Sequence, residues 1–430
     1  MNNLLCLFKV IVMILCLRES IYVNGFGERA YFSDREDNNP AYYISPALQK
    51  LEHAPEFVKD WPNISITLGQ VSGVTLDNAG RVLVFHRGEH TWDEHTFTNG
   101  NIYLGIGKPA IQHKTILIFN ETGELLDMWG DDFFYMPHGI TVDSEGNVWT
   151  TDVALHQVFK FNATNRRVPA MVLGEKFVPG TDDHHFCKPS AVAVLSTGDF
   201  FIADGYCNHR ILKYNPKGQI ILQWGTHNSH SPFSLNVPHA LALAENSGVV
   251  LVADRERGRV ASFRHDNGSY VTSYSSWLMG PRIFSVAYSP VHGGRLYVVN
   301  GPNGVVPVRG YVLELASGRL VGTFDAPAGL ASPHDVAAAT DGSAVYVAQL
   351  APHAVYKFVD ERLRDEAPPA PPAPPAPPAA PPATPATLAG AVTSRGGRWA
   401  GAAAGAGAAL CAGALLLRGA LRRARGEPRH

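Results

Sequence analysis

Charge of one sign is not in surplus: 36 basic side chains stand against 38 acidic ones in 430 residues. That balance argues against a partner held by electrostatics, so no nucleic-acid partner is expected. No GxxxxGK[ST] loop and no GxGxxG turn occurs, so nucleotide chemistry has no support. Cysteine is scarce. Of five, Cys6 and Cys16 fall in the N-terminal apolar stretch and Cys411 near the C-terminus. The body keeps only Cys187 and Cys207, and two cysteines in an exported domain most often pair. An uninterrupted apolar run is also missing at the start, because Lys9 breaks Leu4–Leu17. A secretory signal over 1–25 therefore fits better than a long membrane span, with Val23-Asn24-Gly25 as one cleavage site. An uncleaved anchor is the alternative. Sequons at Asn63, Asn120, Asn162 and Asn267 are compatible with glycosylation in the secretory pathway.

What is present is a repeat. After a 26–60 extension, residues 61–362 return to one template. An apolar strand opens each unit, as in Pro137-His138-Gly139-Ile140, Pro238-His239-Ala240-Leu241 and Pro333-His334-Asp335-Val336. Second strands end alike, in Thr151-Asp152, Ala203-Asp204 and Ala253-Asp254. Unit starts near 71, 137, 189, 238, 282 and 333 give a period of mostly about 45–52 residues. An insertion around His90–Lys114 lengthens the first unit. Four short strands per unit at that period mark a β-propeller blade, so an all-β, six-bladed propeller is expected. A β-sandwich would not repeat its own turn residues so regularly.

Beyond the sixth unit the composition changes. Residues 363–399 form a Pro/Ala-rich linker, whose PPA repeats suit an extended stalk. Residues 400–417 are uncharged and are followed by Arg418, Arg422, Arg423 and Arg425 within a 418–430 tail. A C-terminal membrane helix with a basic cytoplasmic end is expected, holding the propeller in the lumen or outside the cell. A low-complexity tail without a span is the alternative.

The opening strands carry the functional clue. The residue after the first strand position reads Ser72, His138, Ser190, His239, Ser285 and His334. Histidine occupies alternate units only, and in a six-bladed ring alternate blades stand about a third of a turn apart. Three imidazoles would therefore converge on the central channel, leaving a fourth position open, which suits catalytic zinc. A local Pro-His turn preference would not skip every second blade.

Seven segments stand in order along the chain: Gly69-Gln70-Val71-Ser72-Gly73-Val74, Val84-Phe85-His86-Arg87-Gly88-Glu89-His90, Met136-Pro137-His138-Gly139, Thr151-Asp152-Val153-Ala154-Leu155-His156-Gln157-Val158-Phe159-Lys160, Asp204-Gly205-Tyr206-Cys207-Asn208, Ala253-Asp254-Arg255-Glu256 and Pro333-His334-Asp335. Through them the chain resembles the peptidyl-α-hydroxyglycine α-amidating lyases. The resemblance implies a six-bladed propeller with NHL-like repeats. It also implies cleavage of a peptide ending in α-hydroxyglycine to a peptide amide and glyoxylate, the second step of peptide amidation. Zinc falls on His138, His239 and His334. Calcium falls on the carbonyls of Val74 and Ile140 and the carboxylate of Asp335, an oxygen-only set suited to a hard cation. The catalytic tyrosine falls on Tyr206 and two active-site arginines on Arg87 and Arg255. Arginine and zinc beside the phenol are expected to lower its pKa. The second disulfide usual in the family is replaced by Leu251 and Ser262. The copper monooxygenase half of bifunctional members is not in this sequence, so the hydroxylated peptide is expected from a separate monooxygenase. A non-catalytic binding scaffold and a metal-dependent propeller hydrolase are the rival readings. Neither explains histidine on alternate blades.

Overall fold

The structure is a computed structural model that describes residues 40–227 and 231–366. The expected signal peptide, the first part of the extension, nearly all of the linker, the membrane helix and the basic tail lie outside the described residues. Among the described residues, no helix is long and apolar enough to cross a membrane.

Six antiparallel sheets stand around a central channel. Blade 1 comprises Val71–Leu76, Val82–His86, Ile116–Phe119 and Leu125–Trp129. Blade 2 comprises Pro137–Val142, Val148–Asp152, Gln157–Phe161 and Met171–Leu173. Blade 3 runs from Ala191–Val194 to Ile220–Trp224, and blade 4 from Pro238–Ala244 to Tyr270–Tyr274. Blade 5 runs from Ile283–Ser289 to Leu320–Phe324. Blade 6 takes Pro333–Ala338, Ala344–Gln349 and Ala354–Val359 from the end of the array. The first strand of each blade packs against the first strands of its two neighbours, and blade 6 returns to blade 1.

Strand periodicity explains how the blades adhere. Successive side chains point to opposite faces. In Phe200–Asp204, Phe200 and Ile202 join the core shared with blade 2, while Phe201 and Ala203 join the one shared with blade 4. Each of the six blade interfaces carries one such cluster. A middle strand covered on both faces is therefore buried along its whole length, as Val148–Asp152 and Val249–Asp254 are.

The terminal aspartates of the second strands secure the channel mouth. Asp152 accepts four backbone N–H bonds, from Tyr135, Met136, Ala154 and Leu155, at 2.7–3.0 Å. Asp204 accepts the Cys187 N–H at 2.8 Å and Asp254 the Asn236 N–H at 2.6 Å. Each ties the incoming loop of its blade to the turn that follows its own strand. That is the physical content of the repeated Asp.

The sixth blade is completed from the other end of the chain. Glu56–Val58 pairs antiparallel with Ala354–Val359 as its outer strand. Glu52–His53 adds a parallel edge to blade 5. The expected start of the propeller at 61 is thus corrected to 52. Pairing across roughly 300 residues leaves no local periodicity to read. Removing residues through 60 strips both edges and the Phe57 contacts with Tyr356 and Phe358. The same truncation removes the buried Ile44 and Leu48, so with most of Phe57's burial the loss is about 4–6 kcal/mol. The unfolding midpoint of that truncation, read by circular dichroism, is expected to fall by roughly 10 °C.

Candidate active site and metal centre

The three histidines meet. His138, His239 and His334 are all buried, and their ligand atoms lie within 4.8 Å of one another. Their ring centroids form a near-equilateral triangle with sides of 4.7, 4.7 and 4.8 Å. Each Nδ1 bonds the carbonyl of the matching residue on the next blade: Ser190 at 2.8 Å, Phe284 at 2.7 Å and Ser72 at 2.7 Å. Nδ1 therefore carries the proton, and Nε2 is left with its lone pair toward the axis. Burial, then the neighbouring cationic groups and imidazoles, holds His138 and His239 well below the usual histidine pKa, and His334 at about 3. All three are neutral at ordinary pH, the form that binds a metal.

One aligned position differs from expectation. In blade 5 the strand register sets Ile283 opposite Asn300, as Pro238 lies opposite Asp254 in blade 4. Phe284, not Ser285, is the ring residue. The three-fold pattern becomes sharper, since all three non-histidine ring residues are carbonyl partners of a histidine. Close approach of the inner strands also explains the glycine after His138. A Cβ on Gly139 would lie 2.4 Å from the Ser190 carbonyl oxygen.

Tyr206 reaches the same point from blade 3. Its hydroxyl lies 2.8 Å from His138 Nε2 and 2.9 Å from His239 Nε2. Gly205 lets the turn pass: a Cβ there would stand 1.9 Å from the Pro238 carbonyl. The Cys187–Cys207 disulfide pins the following residue, with a Cα separation of 5.4 Å. This is the pair expected from the sequence. Replacing both cysteines by serine should cost at most about 3 kcal/mol for a loop of this size. Unreduced peptide mapping should find the pair linked, and both thiols alkylatable would remove it.

The two arginines flank the phenol in different ways. Arg87 is 1% exposed. Its Nε donates to the Pro137 carbonyl at 3.0 Å and its Nη1 to Gln70 Oε1 at 2.7 Å. Its buried Nη2 has no hydrogen-bond partner among the described residues. Burial lowers its pKa to about 10, so it remains charged at neutral pH. Arg255 places Nη1 3.5 Å from the Tyr206 hydroxyl and its guanidinium 5.1 Å from the ring centroid. The expectation of a lowered tyrosine pKa is corrected for the protein groups alone. Burial pushes Tyr206 up, and the opposing pull of Arg255 and Arg87 does not overcome it.

The residues expected for calcium lie one level deeper. The Val74 N–H donates to Asp335 Oδ2 at 3.0 Å, and Ser285 Oγ to Oδ1 at 2.7 Å. Ile140 adjoins them, its Cγ2 being 2.9 Å from where a Cβ on Gly73 would sit. Burial raises the Asp335 pKa to about 6, against the opposing pull of hydrogen bonds from Ser285, Val74 and Val336. Of the sequons, Asn63, Asn162 and Asn267 are exposed, whereas Asn120 bonds Glu124 within its turn.

Several site residues carry no sequence signal of their own. Gln70 Oε1 joins Arg87 to the Trp92 N–H, at 2.7 and 2.9 Å. The Trp92 ring then lies 4.9 Å from Tyr206 and 5.2 Å from the Arg87 guanidinium. Trp92 belongs to the first-unit insertion, which brings it over the channel. Phe284 packs 5.4 Å from His239.

A profile of the NHL repeat matches residues 134–161 and 186–214, within blades 2 and 3. The chain is 45% identical over 340 residues to peptidyl-alpha-hydroxyglycine alpha-amidating lyase 1 of Drosophila melanogaster, covering 74% of this chain and 62% of that protein. It is 39% identical to lyase 2 of the same organism, covering 73% and 76%. Against peptidyl-glycine alpha-amidating monooxygenase B of Xenopus laevis it is 43% identical over 308 residues, 70% of this chain and 35% of that protein. The chain thus matches under two thirds of the first and the last of these relatives.

Proposed function

The chain belongs to the peptidyl-α-hydroxyglycine α-amidating lyase family, and on that premise we propose that its propeller is a zinc-dependent lyase of the secretory pathway. Its substrate is a peptide ending in α-hydroxyglycine, the product of a monooxygenase. The monooxygenase relative from Xenopus carries a matching segment, which supports that pairing. His138, His239 and His334 would hold the zinc, and their neutral Nε2 atoms, fixed toward the axis, fit it. A zinc ion bound there supplies Lewis acidity and the positive charge that the buried phenol lacks. Val74, Ile140 and Asp335 would hold calcium as a structural ion between blades.

The chain's own groups account for the rest. Tyr206 Oη takes the proton of the hemiaminal hydroxyl. The O–H electrons form the aldehyde C=O of glyoxylate, and the C–N bond breaks. The leaving amide nitrogen takes that proton from Tyr206, which returns the phenolate and balances the step. Arg87 and Arg255 hold positive charge beside the phenol. The unpartnered Nη2 of Arg87 suits the substrate's terminal carboxylate, a planar anion.

The observation that carries this reading is the Tyr206 hydroxyl, seated within 2.9 Å of two Nε2 atoms that belong to a three-histidine ring. Metal analysis of the purified protein, paired with a glyoxylate assay on a peptidyl-α-hydroxyglycine, tests it. Stoichiometric zinc and equal yields of amide and glyoxylate are expected. Full zinc occupancy with no glyoxylate release would overturn the reading. The secretory setting rests on the apolar start, the disulfide and the sequons. The C-terminal anchor rests on the uncharged stretch before the terminal arginines.

A further inference from the structure

One cluster beside the site is not used by the chemistry above. Arg255 opens a short 3-10 turn, Arg255–Arg257, whose next residue is Glu256. Glu256 Oε1 accepts from Arg255 Nε at 2.8 Å. The same oxygen accepts from Arg282 Nη2 at 2.7 Å and Nε at 3.2 Å. The two guanidiniums so joined both lie against the Phe284 ring, at 5.2 and 5.4 Å from its centroid. Phe284 is the ring residue whose carbonyl holds His239. The turn itself is fixed by the Arg255 N–H to Val237 O and the Glu256 N–H to Asn236 O, at 3.1 and 3.0 Å.

We infer that Glu256, with Arg282, is a positioning residue that sets the Arg255 guanidinium against the Tyr206 hydroxyl. This rests on the lyase reading of the same site. The alternative is an ordinary surface ion pair. Glu256 and Arg282 side chains are 28% and 35% exposed, and pairs of that kind add little to stability. Their effect must then lie in direction. Without Glu256, the Arg255 side chain keeps, among the described residues, only the long 3.5 Å contact to Tyr206 and its faces on two rings. A long side chain held so loosely samples other rotamers. Misplacing a reacting neighbour by about 1 Å can cost on the order of 100-fold in rate.

The test uses the zinc-loaded protein and five forms: wild type, Glu256→Gln, Glu256→Asp, Arg255→Lys and the Glu256→Gln/Arg255→Lys double variant. Glu256→Gln should keep zinc content and unfolding midpoint while kcat falls about 10- to 100-fold with KM little changed. Glu256→Asp should recover part of the loss. In the Arg255→Lys background, Glu256→Gln should add almost nothing, because its effect passes through Arg255. Full additivity of the two losses, or a silent Glu256→Gln, overturns the inference. A second readout is independent of activity. The Arg255 Nε–H resonance, assigned by its loss in Arg255→Lys, should be protected from exchange in wild type and not in Glu256→Gln. If wild type releases no glyoxylate, the lyase reading fails, and this resonance still decides the clamp. Equal protection in both proteins sinks it.

Discussion

Tyr206→Phe is expected to lower kcat for glyoxylate release by about 10²–10⁴ while leaving zinc content unchanged. The ring is what packs: it lies against Trp92 at 4.9 Å and beneath the Arg255 guanidinium. Phenylalanine keeps that ring, and the disulfide keeps the turn. Only the hydroxyl goes, together with its close approach to the Nε2 atoms of His138 and His239. Those Nε2 atoms are the proposed metal ligands, so the metal compensates them and folding is not expected to suffer. What is lost is the proton acceptor. A purely packing role for Tyr206 predicts a nearly silent substitution. Near-normal glyoxylate release at full zinc occupancy would therefore take Tyr206 out of the mechanism and leave the three-histidine ring in place.

The propeller and the histidine ring were legible because both are periodic. Strand alternation and a unit length near 50 residues specify blades. Histidine on every second unit then specifies convergence without any knowledge of contacts. Legibility stopped where the information is not periodic. Blade 5 opens with Ile283-Phe284 instead of Pro-His or Pro-Ser, and the alignment slipped by one residue to Ser285. A one-residue slip turns every side chain to the other face. Only the pairing of Ile283 with Asn300 restores the register. The outer strand of blade 6 was missed because Glu56–Val58 is three residues long and its partner lies at the other end of the array.

The electrostatics show the same limit. The sequence supplies the arginines near Tyr206 but not the depth at which the phenol sits. Among the protein's own groups, charge and burial shift its pKa in opposite directions, and burial wins. Gln70, Trp92 and Glu256 were likewise invisible as site residues. Each matters only through a tertiary contact: Gln70 through Arg87, Trp92 through Tyr206 and Glu256 through Arg255. The repeated Asp of the second strands was visible as a pattern. Its role as acceptor for up to four backbone N–H groups was not.

His239→Ala is expected to abolish zinc binding and activity together. His239 is 2% exposed, and its imidazole fills one third of the ring. Two remaining imidazoles cannot supply the three protein ligands that a catalytic zinc site needs. Loss of the Lewis acid removes several kcal/mol of charge stabilisation, or roughly 10³-fold or more in rate. The substitution also leaves the Phe284 carbonyl without its N–H donor. An unsatisfied buried acceptor costs about 1–3 kcal/mol, partly offset if water enters the vacated space. The folded state should survive, since six blade interfaces hold the ring independently of this side chain. Three measurements separate the outcomes. Metal analysis should find zinc gone, circular dichroism should find the β-sheet signal intact, and added zinc at micromolar concentration should not restore glyoxylate release. The contrast with Tyr206→Phe, inactive but zinc-loaded, distinguishes the ligand from the base. Retention of full zinc by His239→Ala would place the metal elsewhere and break the link between the alternate-blade histidines and the reaction.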